Sequence, residues 1–192
     1  MFPEERLLLY ALVCSLKPNT CLEIGRGRGG STIIISSALD FNARPKSATA
    51  KEGILVSLDP ERGDHRIEPA LAEALSSRVR FIKGQSPDDL GKAFDLAQAS
   101  FDFVLIDADH TYDACSKDIA AVTGFLQPGA HLLFHDAHFA DVKSAVTNSL
   151  TRLPFVDCVL LSVAAAPRVD RQGLPVTWAG MRLLRFQPDN RI

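Results

Sequence analysis

Short apolar runs alternate with longer helix-like stretches along most of this chain, and that rhythm limits the folds open to it. The runs TCLEIG (20–25), GILVSLD (53–59), VRFIKG (79–84), FDFVLID (101–107), AHLLFHD (130–136), FVDCVLLS (155–162) and TWAGMRLLRF (177–186) read as strands. Several are continuously apolar, as strands covered on both faces are. Helical stretches lie between them: about 30–40, HRIEPALAEALSS, a stretch opening with SPDDL, Tyr112 toward Leu126, and roughly 141–153. In SPDDL, Ser86 can cap, Pro87 suits the first turn and Asp89 completes a capping-box pattern. Cys115, Ile119, Val122 and Leu126 share one helical face. Such alternation predicts right-handed crossovers and a doubly wound α/β fold, a parallel sheet with helices on both faces. The last two strands lack a helix between them. Their connector, VAAAPRVDRQGLPV, is punctuated by Pro and Gly and reads as a loop, so these strands are expected to pair antiparallel at one edge. A second loop is expected over 41–53.

The 192 residues favour one domain: an N-terminal helix over 1–19, a core over 20–140, and a C-terminal helix and strand pair over 141–192. A net charge of −2 without any basic run argues against general nucleic-acid binding. RLLLYALVCSL is too short to span a bilayer, and MFPEER lacks the basic start of a signal peptide. It reads as an amphipathic first helix, and no membrane partner is expected. Cys14, Cys21, Cys115 and Cys158 show no metal spacing. They read as reduced, mostly buried thiols of a cytoplasmic protein.

In open α/β sheets, ligands bind outside the carboxyl ends of the strands. Here those ends carry Glu23–Gly25, Asp59, Gly84–Ser86, Asp107–His110 and His135–Asp136. The first is LEIGRGRGGST, in which Gly25, Gly27 and Gly30 spell G-x-G-x-x-G, a pattern that favours a dinucleotide with its pyrophosphate on a helix N-terminus. Glu23 argues against that, because a carboxylate attracts a cationic ligand and not a pyrophosphate. Asp59 suits a ribose diol but falls later than the roughly 20-residue spacing of the dinucleotide fingerprint. A rim this acidic suits a sulfonium carrying a ribose and an adenine.

LEIGRGRGGST, VSLDPE, IKGQSPDDL and FVLIDADHTYDACSKD, followed by LLFHDAH, resemble the class I S-adenosylmethionine-dependent methyltransferases. The nearest likeness is to the O-methyltransferase branch with Asp-x-x-His-x-Tyr and a later His-Asp or Glu-Asp. The resemblance spans about 20–140. It implies a Rossmann-like, seven-stranded, mostly parallel sheet with an antiparallel last strand. It also implies cofactor contacts from Glu23, Gly25, Gly29, Gly30 and Ser31 to the amino-acid moiety, from Asp59 to the ribose, from Gln85 and Ser86 near the adenine, and from Asp107 near the methyl. In the metal-dependent enzymes of this branch, ligands stand at the positions of Asp107, Asp136 and a neighbour of Asp136. Here the flanks are His135 and Ala137. Either His135 contributes nitrogen, favouring Mn²⁺ or Fe²⁺ over Mg²⁺, or the site is weak or absent. His110 stands where such enzymes place a general base.

The expected activity is methyl transfer to a hydroxyl of a small-molecule or sugar acceptor, with His110 and Asp107 as catalytic residues and Asp107, His135 and Asp136 as ligands of any divalent metal. An NAD(P)-dependent oxidoreductase and a non-catalytic nucleoside-binding module are the alternatives. Asp118 reads as structural, Asp109 as a helix cap, and Tyr112 as packing or bonding near the cofactor. Arg26 and Arg28 read as solvated loop residues or contacts to an acidic substrate. His138 is a weaker candidate on the same rim, His131 is placed on the opposite rim, and His65 is placed on the surface. With one helix before the first strand, the acceptor's walls are expected from 41–53, 137–142, 163–176 or a second subunit, which leaves a homo-oligomer open.

Overall fold

The computed structural model describes residues 1–44, 52–62, 67–161, 166–169 and 173–189. Seven strands form one sheet: β1 (Thr20–Ile24), β2 (Ile54–Asp59), β3 (Val79–Lys83), β4 (Phe101–Ile106), β5 (Leu126–Phe134), β6 (Phe155–Leu161) and β9 (Met181–Phe186). Their order is β3-β2-β1-β4-β5-β9-β6. β9 runs antiparallel to both β5 and β6, and the remaining pairings are parallel. The fold is therefore Rossmann-like, with six parallel strands and one antiparallel, and β9 is inserted between its two neighbours.

Period-two alternation divides the strand side chains between two layers. Leu22, Ile24, Val56, Leu58, Val104, Ile106, Leu132 and Phe134 join α4 (Leu90–Ala97), α5 (Tyr112–Val122) and α6 (Ala140–Arg152) on one face. Cys21, Leu55, Phe103, Leu105 and Leu133 pack with α1 (Pro3–Leu16) and α2 (Gly30–Ala43) on the other. α3 (Pro69–Leu75) buries no residue. No helix among the described residues is long and apolar enough to cross a membrane. Cys21 and Cys115 are buried, whereas Cys14 is half-buried and Cys158 exposed.

Several local expectations are corrected. The run 177–186 is two strands, β8 (Pro175–Trp178) and β9, because Ala179 and Gly180 both turn through positive φ, 79° and 83°. The connector over 163–176 carries β7 (Ala166–Val169), which pairs with β8 as a separate ribbon. α4 starts at Leu90, after a turn over 86–89. The Asp89 carboxylate accepts from Gln85 N (2.9 Å) and so closes that turn without capping the helix. α2 extends three residues into the expected loop 41–53, of which 45–51 lie outside the described residues, as does His65.

Candidate functional site

The carboxyl ends of β1, β4 and β5 meet along one rim, starting at the glycine turn. Gly25 has φ +87°, and a Cβ there would stand 2.2 Å from the Asp107 carbonyl oxygen. Only glycine lets the tips of β1 and β4 approach this closely. Gly29, at φ +86°, packs against Ile67, while a Cβ on Gly30, which opens α2, would meet nothing within 4 Å.

The acids beside this turn are spent on the protein itself. Glu23 is fully buried and accepts from Ser31 Oγ (2.5 Å), Ser57 Oγ (2.5 Å) and Thr32 Oγ1 (2.6 Å). Burial pushes its pKa up against the pull of these hydroxyls. Glu23 and Ser31 thus tie the loop to the sheet. Asp59 Oδ2 accepts from Arg26 N (3.1 Å) and Gly27 N (3.0 Å), and Oδ1 from Glu61 N (2.6 Å). A strand-tip carboxylate beside a turn with N–H groups takes those donors and keeps the capacity to accept more. Arg26, read as solvated or substrate-facing, is buried. Its guanidinium donates to Ser57 O, Ile82 O and Glu61 Oε1 and lies over the Phe81 ring.

A cleft of about 630 Å³ opens beside the turn, lined in part by Gly25, Pro60, Gln85, Ser86, Asp109, Ala114 and Asp118. Its volume suits a small-molecule ligand. Three of the expected cofactor contacts, Gly25, Gln85 and Ser86, line it. Asp118, expected to be structural, lines it as well. Burial raises the Asp118 carboxyl pKa against the pull of the Ser86 hydroxyl. Asp109 accepts from Thr111 N (2.9 Å), and Thr111 is the residue that caps α5. Tyr112 faces α6, where its hydroxyl accepts from Asn148 Nδ2.

The next two strand tips bring Asp107, His110, His135 and Asp136 together, with ligand atoms all within 4.8 Å of one another. His135 Nδ1 lies 3.0 Å from Asp107 Oδ1 and 3.1 Å from Asp136 Oδ2, and its Nε2 lies 3.0 Å from Glu5 Oε2. Burial alone would lower the His135 pKa; bonds to the three carboxylates raise it to about 11. Asp136 sits at φ 51°, an uncommon conformation for an aspartate. Burial disfavours its charge, but His110 and His135 beside it hold its pKa well below the usual carboxylate range. His110 Nε2 is 3.0 Å from Asp136 Oδ2 but off the hydrogen-bonding line, so this buried nitrogen has no hydrogen-bond partner. Two carboxylate oxygens and two imidazole nitrogens, one of them the unbonded His110 Nε2, form a donor set that fits a borderline divalent ion.

Beyond the cluster a second hollow, about 240 Å³, is lined by Met1, Phe2, Glu5, His135, Asp136 and Trp178. The His110 ring meets Trp178 edge-on at 5.4 Å and Phe139 at 6.1 Å. Ala108 and Asp109 line the first hollow, His135 and Asp136 the second. The single N-terminal helix and β8 wall the second one, which no reading of loop composition foresaw. His138 packs its ring against Gly180.

A doubly wound sheet with a glycine turn and an acidic rim is the architecture of a nucleoside-cofactor enzyme. A family model described as a methyltransferase domain matches residues 22–137, and the chain belongs to that family. This decides between the two enzyme readings. Among solved structures, an O-methyltransferase from Bacillus cereus, in complex with SAH, is similar at a TM-score of 0.71 and 17% identity, covering 96% of this chain and 82% of that one. The O-methyltransferase TomG from Streptomyces achromogenes, involved in tomaymycin synthesis and in complex with SAM, is similar at 0.63 and 19%, covering 97% and 81%. A SAM-dependent O-methyltransferase from Thermotoga maritima is similar at 0.69 and 14%, covering 100% and 68%. At these identities the likeness is one of fold. No curated protein matches the chain.

Proposed function

We propose that this protein transfers a methyl group from S-adenosylmethionine to a hydroxyl of a small-molecule acceptor, with Asp107, His135 and Asp136 as ligands of a divalent ion such as Mn²⁺. The observation that carries the proposal is the clustering of Asp107, His110, His135 and Asp136, with ligand atoms within 4.8 Å of one another and His110 Nε2 buried 3.0 Å from Asp136 Oδ2. S-adenosylmethionine, when bound, supplies an electrophilic methyl and leaves as S-adenosylhomocysteine. A divalent ion, when bound, makes a hydroxyl more acidic.

The chain's own residues do the rest. The large cleft takes the nucleoside, with Gln85 and Ser86 against the adenine and the open space above Gly30 receiving the amino-acid end. The smaller hollow takes the acceptor, and Trp178, Phe2 and Phe139 exclude water from it. His110 Nε2 accepts the hydroxyl proton, and Asp136 beside it stabilises the imidazolium that forms. Holding both ligands beside neighbouring strand tips supplies the proximity that an in-line displacement needs.

Calorimetry with S-adenosylhomocysteine tests the cofactor. Wild type should bind it, and Ala114→Trp, which fills the cleft, should not; a wild type that binds neither cofactor form sinks the proposal. An acceptor screen with labelled S-adenosylmethionine tests the chemistry. His110→Ala should lower turnover about 10²–10⁴-fold. Cofactor binding without transfer to any acceptor would favour a non-catalytic module.

A further inference from the structure

We infer that Glu5, brought in by the first turn of α1, is a positioning residue of the metal centre: it holds the His135 ring with Nδ1 turned toward Asp107 and Asp136. The inference rests on the ligand set proposed above. Glu5 is fully buried, while its neighbours Pro3, Glu4, Arg6 and Leu7 are exposed. A glutamate is almost never buried so completely unless it is paired. Each of its oxygens is engaged. Oε1 accepts from Gly180 N at 2.9 Å, and Oε2 accepts from Phe2 N at 2.8 Å and meets His135 Nε2 at 3.0 Å.

Helix capping accounts for only one of these contacts. A glutamate at the third helical position caps equally well in solvent. The other two contacts reach 175 and 130 residues along the chain, to the turn before β9 and to the tip of β5. With Nε2–H donated to Glu5, a neutral His135 carries its lone pair on Nδ1. That nitrogen lies between the two aspartates, 3.0 Å and 3.1 Å from their nearest oxygens. A histidine ligand commonly has this arrangement, with a carboxylate on one nitrogen and the ion on the other. Glu5 acts on the ion through His135 and is not itself a ligand.

Mn²⁺ binding to the metal-stripped, full-length protein tests the inference by calorimetry. Glu5→Gln keeps the side chain's size and one of its two accepting oxygens but withdraws the charge beside His135. Its Mn²⁺ affinity should fall about 10–100-fold, and the visible absorption of its Co²⁺ form should shift. Asp157→Asn, on the distant edge strand, should bind Mn²⁺ like wild type. A Glu5→Gln protein with wild-type affinity and an unchanged Co²⁺ spectrum overturns the role of Glu5 and leaves the metal centre standing. A wild type that binds no Mn²⁺ overturns both. Independently of any variant's folding, ¹⁵N imidazole shifts of the Zn²⁺-loaded wild type must show His135 protonated at Nε2. Protonation at Nδ1 would defeat the inference.

Discussion

His135 is the residue on which the rim's electrostatics turn. Three carboxylates, from Glu5, Asp107 and Asp136, surround a ring whose own burial opposes charge, and they win: its pKa rises from 6.5 to about 11. Such a group adds stability that is complete below about pH 6.5 and is lost as pH climbs toward 11. The metal-free protein should therefore lose melting temperature between pH 7 and 11. A His135→Asn variant should start lower and lack that part of the slope; parallel curves would refute the assignment. The strand-tip acids and histidines were legible because each follows directly on an apolar run. Glu5 was not, because MFPEER reads equally well as an exposed helix start. Its burial depends on Gly180 and His135, which only the folded sheet brings near. Arg26 was misread for the same reason, since its partners Ser57 O and Ile82 O are backbone atoms of other strands.

The elements that alternate cleanly were readable, since a buried parallel strand leaves an unbroken apolar run and a helix leaves a 3.6-residue period. Short elements were not. β7 and β8 span four residues each and hide among the Pro and Gly that signal loops. The break between β8 and β9 follows from two positive-φ residues, one of them the alanine at 179, whose backbone no sequence rule marks. The glycine turn shows the opposite case, where type and position together dictate geometry. Gly25→Ala would set a Cβ 2.2 Å from the Asp107 carbonyl oxygen at φ +87°. Left-handed strain of about 1–2 kcal/mol and overpacking of about 1–3 kcal/mol should together cost about 3 kcal/mol in denaturant unfolding and part β1 from β4. Gly30→Ala meets nothing within 4 Å, so it should leave stability unchanged or raise it by up to about 1 kcal/mol. It should weaken S-adenosylhomocysteine binding by crowding the space assigned to the amino-acid end. An equal loss of stability in both variants would refute this reading of the turn.

At the scale of the whole molecule, the carboxyl-end rim of the sheet carries two hollows, with Ala108 and Asp109 in the larger and His135 and Asp136 in the smaller. The larger is walled by the tips of β1, β2 and β3 with α5, the smaller by the start of α1 and by β8. This division assigns separable energies to two ligands, because sites without shared contacts contribute nearly additively. Trp178, the only tryptophan in the chain, lines the smaller hollow and takes no part in the larger. Its ring lies near Phe139 at 4.9 Å and meets the His110 ring edge-on at 5.4 Å, so truncation removes an apolar wall of the smaller hollow and leaves the larger one intact. Covering an aromatic side chain's worth of surface is worth about 1.5–3 kcal/mol. Trp178→Ala should accordingly raise the KM for the acceptor about 10–100-fold while S-adenosylhomocysteine affinity stays within about twofold of wild type, as calorimetry would read it. If both affinities fell together, the hollows would be one site, and the acceptor would have to lie in the larger cleft beside the nucleoside.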